Sequence, residues 1–529
     1  MRSSALPATA ARGRRRATGT RTVGASIAPR WWPLLALTAL AAVLRLGTLG
    51  SQSFWYDEAF TPVHVLHGSL GATLHALVHT ENTPPLWYVL EWGVSRALGT
   101  GAVALRLLSA LAGIATVPVA WAIGAELTGR RAALATAAFV AVNPLLVWYS
   151  QEARAYGLFV LMASLALLCF VRALRRPSGR RLAAFAVSAS LALLTHYFAV
   201  FLLIAMVGWL VWSALPKASP GELQPRERTQ NPKNLPRVAC AVALPVIVGL
   251  ALIPLILAQG GHGTQWIGAW ALQSRLEAIP QYFLTGYMGA ALGHGVELLV
   301  LVVILAGFVY GLWRTLYARE ERGALIALTV AAAGTLVPIA LAVLGADYLA
   351  PRNLVAAMVP LSALLAIVTC AQRTGRAGMT LAGLLALAFL ALTVDVDLSP
   401  RLQRGDWAGV ARLLRSAPPA HAIVTVELGA APLEYYLPPL RNMTRSSSVT
   451  VTEIDETGYA PLRSGAGNPP APGFSFSERR DIHGLLVYRF TSPAPVTISE
   501  QTLRRQAITP ATVAHPEVLV PVSTAGKDN

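Results

Sequence analysis

Two neighbouring carboxylates, Asp57 and Glu58, stand in the run Ser53-Phe54-Trp55-Tyr56-Asp57-Glu58-Ala59-Phe60-Thr61, directly after the first long apolar stretch of the chain. A carboxylate placed where an apolar helix emerges into water can take a proton from a hydroxyl, and the surrounding aromatics suit a headgroup layer. The other polar residues of interest fall in short connections between apolar runs. They are His79, Glu81 and Asn82, then Gln151, Glu152 and Arg154, then His196 and Tyr197, then His262, and finally Asp347, Tyr348, Arg352 and Asn353. Arg154 and Arg352 break the pattern of the other arginines, which cluster on the opposite side of the spans. A guanidinium held in so short a loop suits a bound phosphate, which its fork of donors matches.

These residues need a scaffold, and composition says which kind. With 54% hydrophobic and 13% charged residues and a mean hydropathy of +0.53, the chain is too apolar for a soluble globular protein. The net charge of +17 does not point to nucleic acid, because the basic residues punctuate apolar spans as cytoplasmic loops do. Cys169, Cys240 and Cys370 each lie within an apolar run, as small buried hydrophobes do, which gives no disulfide framework or metal site.

The fold class expected is an α-helical multi-pass membrane protein with a small C-terminal α/β domain outside the membrane. Residues 1–30, with Arg12, Arg14, Arg15, Arg16, Arg21 and Arg30 and no acid, read as a basic cytoplasmic tail. The transmembrane part covers 31–395, with spans over about 31–50, 103–125, 132–149, 157–174, 182–196, 198–215, 238–258, 292–313, 324–345, 354–372 and 379–395. That makes about eleven helices near bilayer length. An outer loop, 51–102, carries amphipathic helices over 59–78 and over Pro84–Leu98, the latter too short and too charged to span. This parity puts Arg130-Arg131, Arg172 through Arg181, Lys217 through Arg237, Arg314 through Arg322, Arg373 and Arg376 on the side of the N-terminal tail.

The segment 396–501 reads as the extracytoplasmic α/β domain. Its expected elements are helices at Gly405–Leu414 and Leu433–Leu437, strands at Ala422–Glu427 and Leu485–Phe490, and a long loop over 441–475; 502–529 reads as a flexible tail.

Simpler readings stand beside the chemical ones. Asp57 can cap a helix beginning near Glu58, and Glu58 can be a first-turn acid favoured by the helix dipole. Arg154 can pair with Glu152, and Arg352 with Asp347. His196 can be an interfacial histidine, Tyr149, Tyr156 and Tyr197 an aromatic belt, and His79 with Glu81 a surface turn closed by Pro84-Pro85.

The ordered set Ser53-Phe54-Trp55-Tyr56-Asp57-Glu58-Ala59, Glu81-Asn82-Thr83-Pro84-Pro85-Leu86-Trp87-Tyr88 and Tyr149-Ser150-Gln151-Glu152-Ala153-Arg154-Ala155-Tyr156 resembles family 39 of the GT-C membrane glycosyltransferases. It is most similar to the bacterial branch related to Rgt-type galacturonosyltransferases, the aminoarabinose lipid A transferase and the protein O-mannosyltransferases. Asp347-Tyr348-Leu349-Ala350-Pro351-Arg352-Asn353-Leu354 and Gly405-Asp406-Trp407 resemble further marks of that branch.

The resemblance implies an inverting transfer of a sugar from a polyprenyl-phosphate donor to a glycan, lipid or protein acceptor at the outer face of the cell membrane. It implies Asp57 as the catalytic carboxylate with Glu58 beside it. Arg154 and Arg352 are the candidates for the donor phosphate, with Glu81, Glu152, His196 and Tyr348 as further substrate-binding residues. No cofactor is expected; were a divalent metal present, Asp57, Glu58 and Glu152 would be its oxygen ligands. Aromatic residues of 262–288, including Trp266, Trp270, Tyr282 and Tyr287, are candidates to line the pocket. Two other function classes compete: a transporter or flippase of lipid-linked sugars, which would move its cargo without forming a glycosidic bond, and a non-catalytic membrane protein whose C-terminal domain recruits a partner.

Overall fold

The computed structural model describes residues 31–215, 234–261, 267–268, 270–286, 294–313, 317–418, 420–437 and 439–522. The basic tail 1–30, most of Lys217 through Arg237, and His262, Trp266, Tyr287 and Arg314 lie outside the described residues.

The apolar runs form helices: α1 Trp32–Leu46, then, beyond the outer loop, Ala102–Leu127, Arg130–Val142, Tyr156–Arg175, Gly179–Thr195, Ala199–Ala214 and Asn234–Gln259. They continue as His294–Trp313, Ala318–Val343, Met358–Thr369 after a short 3₁₀ turn at Pro351–Ala357, and Gly375–Leu398. Among the described residues six helices are long and apolar enough to cross a membrane, or seven if the bent pair Arg130–Val142 and Pro144–Ser150 is one span. The expected eleven exceeds that number, because helices such as Trp32–Leu46 and Ala199–Ala214 have only 15 and 16 residues. A further helix, Leu272–Thr285, was not among the expected spans.

The 56° bend has a local cause. Pro144 lacks an N–H, so the helix cannot run through it, and Asn143 restarts it by accepting the Leu146 N–H at 3.0 Å. The last carbonyls of the first half need donors, and the buried Arg45 of α1 supplies them, donating to Ala141 O at 2.8 Å and Val140 O at 3.1 Å. Gly113 leaves room for this arrangement, since a Cβ there would overlap Ser150 and the Arg45 guanidinium. The bend thus fixes where Gln151–Ala155 begins.

The loop between α1 and Ala102 holds α2 Tyr56–Phe60, a π-turn over Thr61–Val65, α3 Leu70–Thr80 and α4 Leu86–Leu98. The single helix expected over 59–78 is therefore two pieces. Leu66 is extended, Gly68 follows it, and Ser69 opens α3 by accepting the Ala72 N–H at 3.1 Å. Helix α4 buries Trp87, Tyr88 and Glu91.

The C-terminal region is a six-stranded sheet ordered β2-β6-β1-β3-β5-β4, with β1 His421–Val426, β2 Leu440–Asn442, β3 Ser448–Gly458, β4 Ser475–Ile482, β5 Leu485–Ser499 and β6 Pro516–Pro521. Only β1–β3 is parallel. Strands β1 and β6 are buried on both faces. Ala422, Val424, Val518 and Val520 point to one core and Ile423 and Leu519 to the other, as the period of two requires. Helices Trp407–Leu414 and Glu427–Tyr436 cover the second face; the first begins at Asp406, whose carboxylate accepts the Gly409 N–H at 2.8 Å.

Two expectations fail here. Part of the loop expected over 441–475 is β3, whose buried positions fall in a run of mixed polar residues without clean alternation. The expected flexible tail from 502 contains a helix, Glu500–Arg505, and β6, which pairs with both β1 and β2.

Since β6 lies inside the sheet, deleting residues 510–529 is expected to unfold the C-terminal domain. Limited proteolysis of the purified protein would show new cleavage within 420–500. A loose tail would be lost without any such change.

Candidate active site

A cavity of about 1360 Å³ lies between the ends of the membrane helices, the loop that carries α2 and α3, and the C-terminal domain. Of the eight residues singled out in the sequence, Asp57, Arg154, Arg352, Glu81, His196 and Tyr348 line it, and Glu58 and Glu152 do not.

Asp57 sits in the first turn of α2. Arg352 Nη1 donates to its Oδ2 across 295 positions of sequence. Arg352 is held by the 3₁₀ turn Pro351–Ala357, and the segment before it is anchored by Arg275. That buried guanidinium grips Asp347 through two bonds of 2.6 Å and donates to Leu349 O at 3.0 Å. Arg154 forms a fork-to-fork pair with Glu81 at 2.7 and 2.8 Å. Neither of the loop salt bridges conceivable from sequence forms. The partners are Glu81 in place of Glu152 and Asp57 in place of Asp347.

Glu58 turns away from the cavity and is fully buried. Both its oxygens accept from Arg106 at 2.7 Å, and Oε1 also accepts the Ala153 N–H at 3.0 Å. Arg106 donates in addition to Leu49 O, Gln52 O and Ser53 O. Burial alone pushes the Glu58 carboxyl up, but Arg106 and Arg404 outweigh it and hold the group below its ordinary value. A direct chemical role for Glu58 does not fit this geometry.

Glu152 is also fully buried. Its Oε2 lies 3.4 Å from Arg404 Nη2, while Oε1 has no hydrogen-bond partner among the described residues. Burial pushes its carboxyl up to about 7, with Arg404 opposing and Glu58 and Asp57 adding repulsion. Arg404 itself stacks 4.2 Å from the Trp148 ring centre and lies 3.7 Å from Glu58 Oε2. The acids Asp57, Glu58 and Glu152 therefore do not converge as a ligand set, since arginines occupy the oxygens of Glu58. Among the described residues no group of three His, Cys, Asp or Glu side chains is arranged to hold a metal ion.

His196 is buried, stacked on Phe159 with ring centres 4.6 Å apart. Its Nδ1 accepts the Phe198 N–H at 3.2 Å, which leaves the ring proton on Nε2. Tyr348 is 56% exposed at the cavity mouth. One wall is apolar, made by Leu193, Val200, Phe201, Leu252, Ile256 and Leu341.

Sequence reasoning missed Arg106, Arg275, Arg404 and Gln259. Gln259 lines the cavity, accepts from Tyr197 OH at 2.7 Å and donates to Leu77 O and Thr83 O. A signal existed for Arg106, a lone arginine inside an apolar span, where an ionisable group demands a partner. Of the aromatics proposed as lining within 262–288, Trp270 and Tyr282 are described and neither lines the cavity.

Glu152 titrates higher in the folded protein, at about 7, than its ordinary 4.5. Its contribution to stability is therefore fully present below pH 4.5 and is lost as pH rises through 7. The thermal midpoint of Glu152→Gln minus that of wild type is expected to increase from about pH 5 to about pH 8. A difference that stays flat would show that the carboxyl is not perturbed.

The family model for dolichyl-phosphate-mannose-protein mannosyltransferases matches residues 82–220. No curated protein matches the chain at a significant level. Among solved structures, ArnT from Cupriavidus metallidurans in the apo state is 13% identical with a TM-score of 0.51, over 86% of this chain and 97% of that one. The same protein bound to undecaprenyl phosphate is 12% identical with a TM-score of 0.51, over 87% and 98%. The Archaeoglobus fulgidus oligosaccharyltransferase in its apo form is 14% identical with a TM-score of 0.45, over 77% and 60%. Residues 82–220 therefore match a mannosyltransferase family model, and the chain as a whole shares its fold with ArnT over almost the whole length of that protein.

Proposed function

We propose that this protein transfers a sugar from a polyprenyl-phosphate-linked donor to an acceptor hydroxyl at the outer face of the cytoplasmic membrane, with inversion at C1. One observation carries the reading: Asp57 meets Arg352 in the wall of a cavity that also holds Arg154 and ends in an apolar face. A polyprenyl phosphate is an anion on an apolar chain, so a site for it needs guanidinium groups beside a greasy wall. One structure that shares this fold holds undecaprenyl phosphate.

In the proposed step the acceptor hydroxyl gives its proton to Asp57 as its oxygen bonds to C1 of the donor sugar. The bond from C1 to the phosphate oxygen breaks on the opposite face, and the electron pair leaves with the polyprenyl phosphate. Arg352 and Arg154 meet the growing negative charge. His196, Glu81 and Tyr348 line the space available to the sugar. Glu58 and Glu152 act on the frame that holds these groups and do not touch substrate.

Asp57→Asn is expected to lower transfer by about 10²-fold or more, while binding of a polyprenyl phosphate to the detergent-solubilised protein stays within a few-fold of wild type. Arg352→Met is expected to weaken that binding as well as slow transfer. Wild-type turnover by Asp57→Asn would refute the assignment of the base. A flippase would instead return the labelled sugar still attached to its polyprenyl phosphate, with no glycosidic product.

A further inference from the structure

The cavity has two poles. Arg154 and Arg352 supply its guanidinium groups from the membrane part, whereas the C-terminal domain contributes Glu427, Leu428, Tyr459 and Ala511–His515. Among the described residues, that second rim brings no Lys or Arg to the cavity.

The rim is held rigidly against the reacting centre. Glu427 opens the helix Glu427–Tyr436, whose Ala431, Tyr435 and Tyr436 pack on Phe54, Tyr56 and Ala59 around Asp57. Tyr436 OH accepts the Phe54 N–H at 2.7 Å. The Glu427 N–H donates to His515 O at 2.8 Å, which ties the helix to the segment 511–515. That segment folds back on itself, with the N–H groups of Val513 and Ala514 on Pro510 O at 2.8 and 3.1 Å. Tyr459 is fixed on both sides by the Thr509 hydroxyl, at 3.0 and 2.9 Å.

Taking the transferase reading as its basis, we infer that this rim is the acceptor subsite and that it takes an uncharged saccharide. The terminal ring of the acceptor lies on an aromatic face, Tyr459 or Tyr56, and its hydroxyls donate to the Glu427 carboxylate. Sugar rings present apolar C–H faces to aromatics and hydroxyl donors to carboxylates, so these residue types match that ligand. A phosphorylated acceptor would bring negative charge up to Asp57 and Glu427 with no rim Lys or Arg to offset it, and unpaired like charge acts against binding. The Tyr56 hydroxyl, pushed up to about 12 by burial and then by Asp57 and Glu427, lies within the field of both acids. An extended peptide is recognised by an exposed strand edge, whereas Val513 and Ala514 have spent their N–H groups on Pro510.

The test uses the full-length protein in lipid nanodiscs with a labelled polyprenyl-phosphate sugar. The acceptors are alkyl oligosaccharides in pairs that differ only by one phosphate monoester, together with a Ser/Thr-containing peptide. Wild type is expected to favour the uncharged member by about tenfold or more in kcat/KM. Glu427→Lys is expected to shrink that ratio by about fivefold through the acceptor KM, with Glu427→Gln in between. Preference for the phosphorylated member or the peptide, product on no saccharide, or a ratio unmoved by Glu427→Lys would each overturn the inference. A wild type that never cleaves the labelled donor, to acceptor or to water, overturns the transferase reading itself.

Discussion

The bond between Glu58 and Arg106 is the constraint on which the site depends. Arg106 stands in the first turns of a membrane helix and reaches into the loop that carries α2, where it grips the Glu58 carboxylate and three backbone carbonyls. Both side chains are almost completely buried, so removing either one would strand a charge, at a cost of about 3–5 kcal/mol. Glu58 is the chain neighbour of Asp57, and its Oε1 also holds the N–H of Ala153, the neighbour of Arg154. One buried carboxylate thereby sets the backbone beside the base and beside one of the cavity's arginines. Arg404 extends the arrangement to the C-terminal domain, since it faces both Glu58 and Glu152 and its own N–H donates to Gln52 Oε1 at 3.0 Å.

Charges inside the cavity are already neutralised in pairs, Arg352 with Asp57 and Arg154 with Glu81. Pairing lowers the cost of holding four ionised groups in a partly dry space. In the proposed reaction a donor phosphate shares the Arg352 guanidinium, which draws that cation away from Asp57 and frees its carboxylate oxygen for the acceptor hydroxyl. The Asp57–Arg352 contact would then time the exposure of the base.

Much of the architecture was legible from the chain. Apolar runs gave the helices, and six of the eight polar residues singled out in short loops line the cavity. The pattern could not assign roles within the acidic pair, because Asp57 and Glu58 differ only in which side of a single helical turn each faces. That depends on Arg106, 48 residues further on. The partners of Arg154 and Arg352 were hidden for the same reason, lying 73 and 295 positions away. Strand β6 was missed because Pro516, Glu517 and Pro521 break its apolar run, yet pairing on both sides and burial of Val518, Leu519 and Val520 outweigh that local signal.

Several contacts that join the C-terminal domain to the membrane part fall on or near the segment just before Asp57. Ser53 Oγ donates to Gly405 O at 2.9 Å, the Phe54 N–H to Tyr436 OH, and Tyr435 OH to Thr100 O at 2.9 Å. A domain docked through the Ser53 hydroxyl and the Phe54 backbone cannot tilt without moving α2. The residues that would choose the acceptor and the residue that would deprotonate it are therefore parts of one packed unit. Small side-chain changes at Glu427 or in 511–515 can alter what enters while leaving the Asp57–Arg352 geometry intact, which is how one reaction centre can serve different acceptors without being rebuilt.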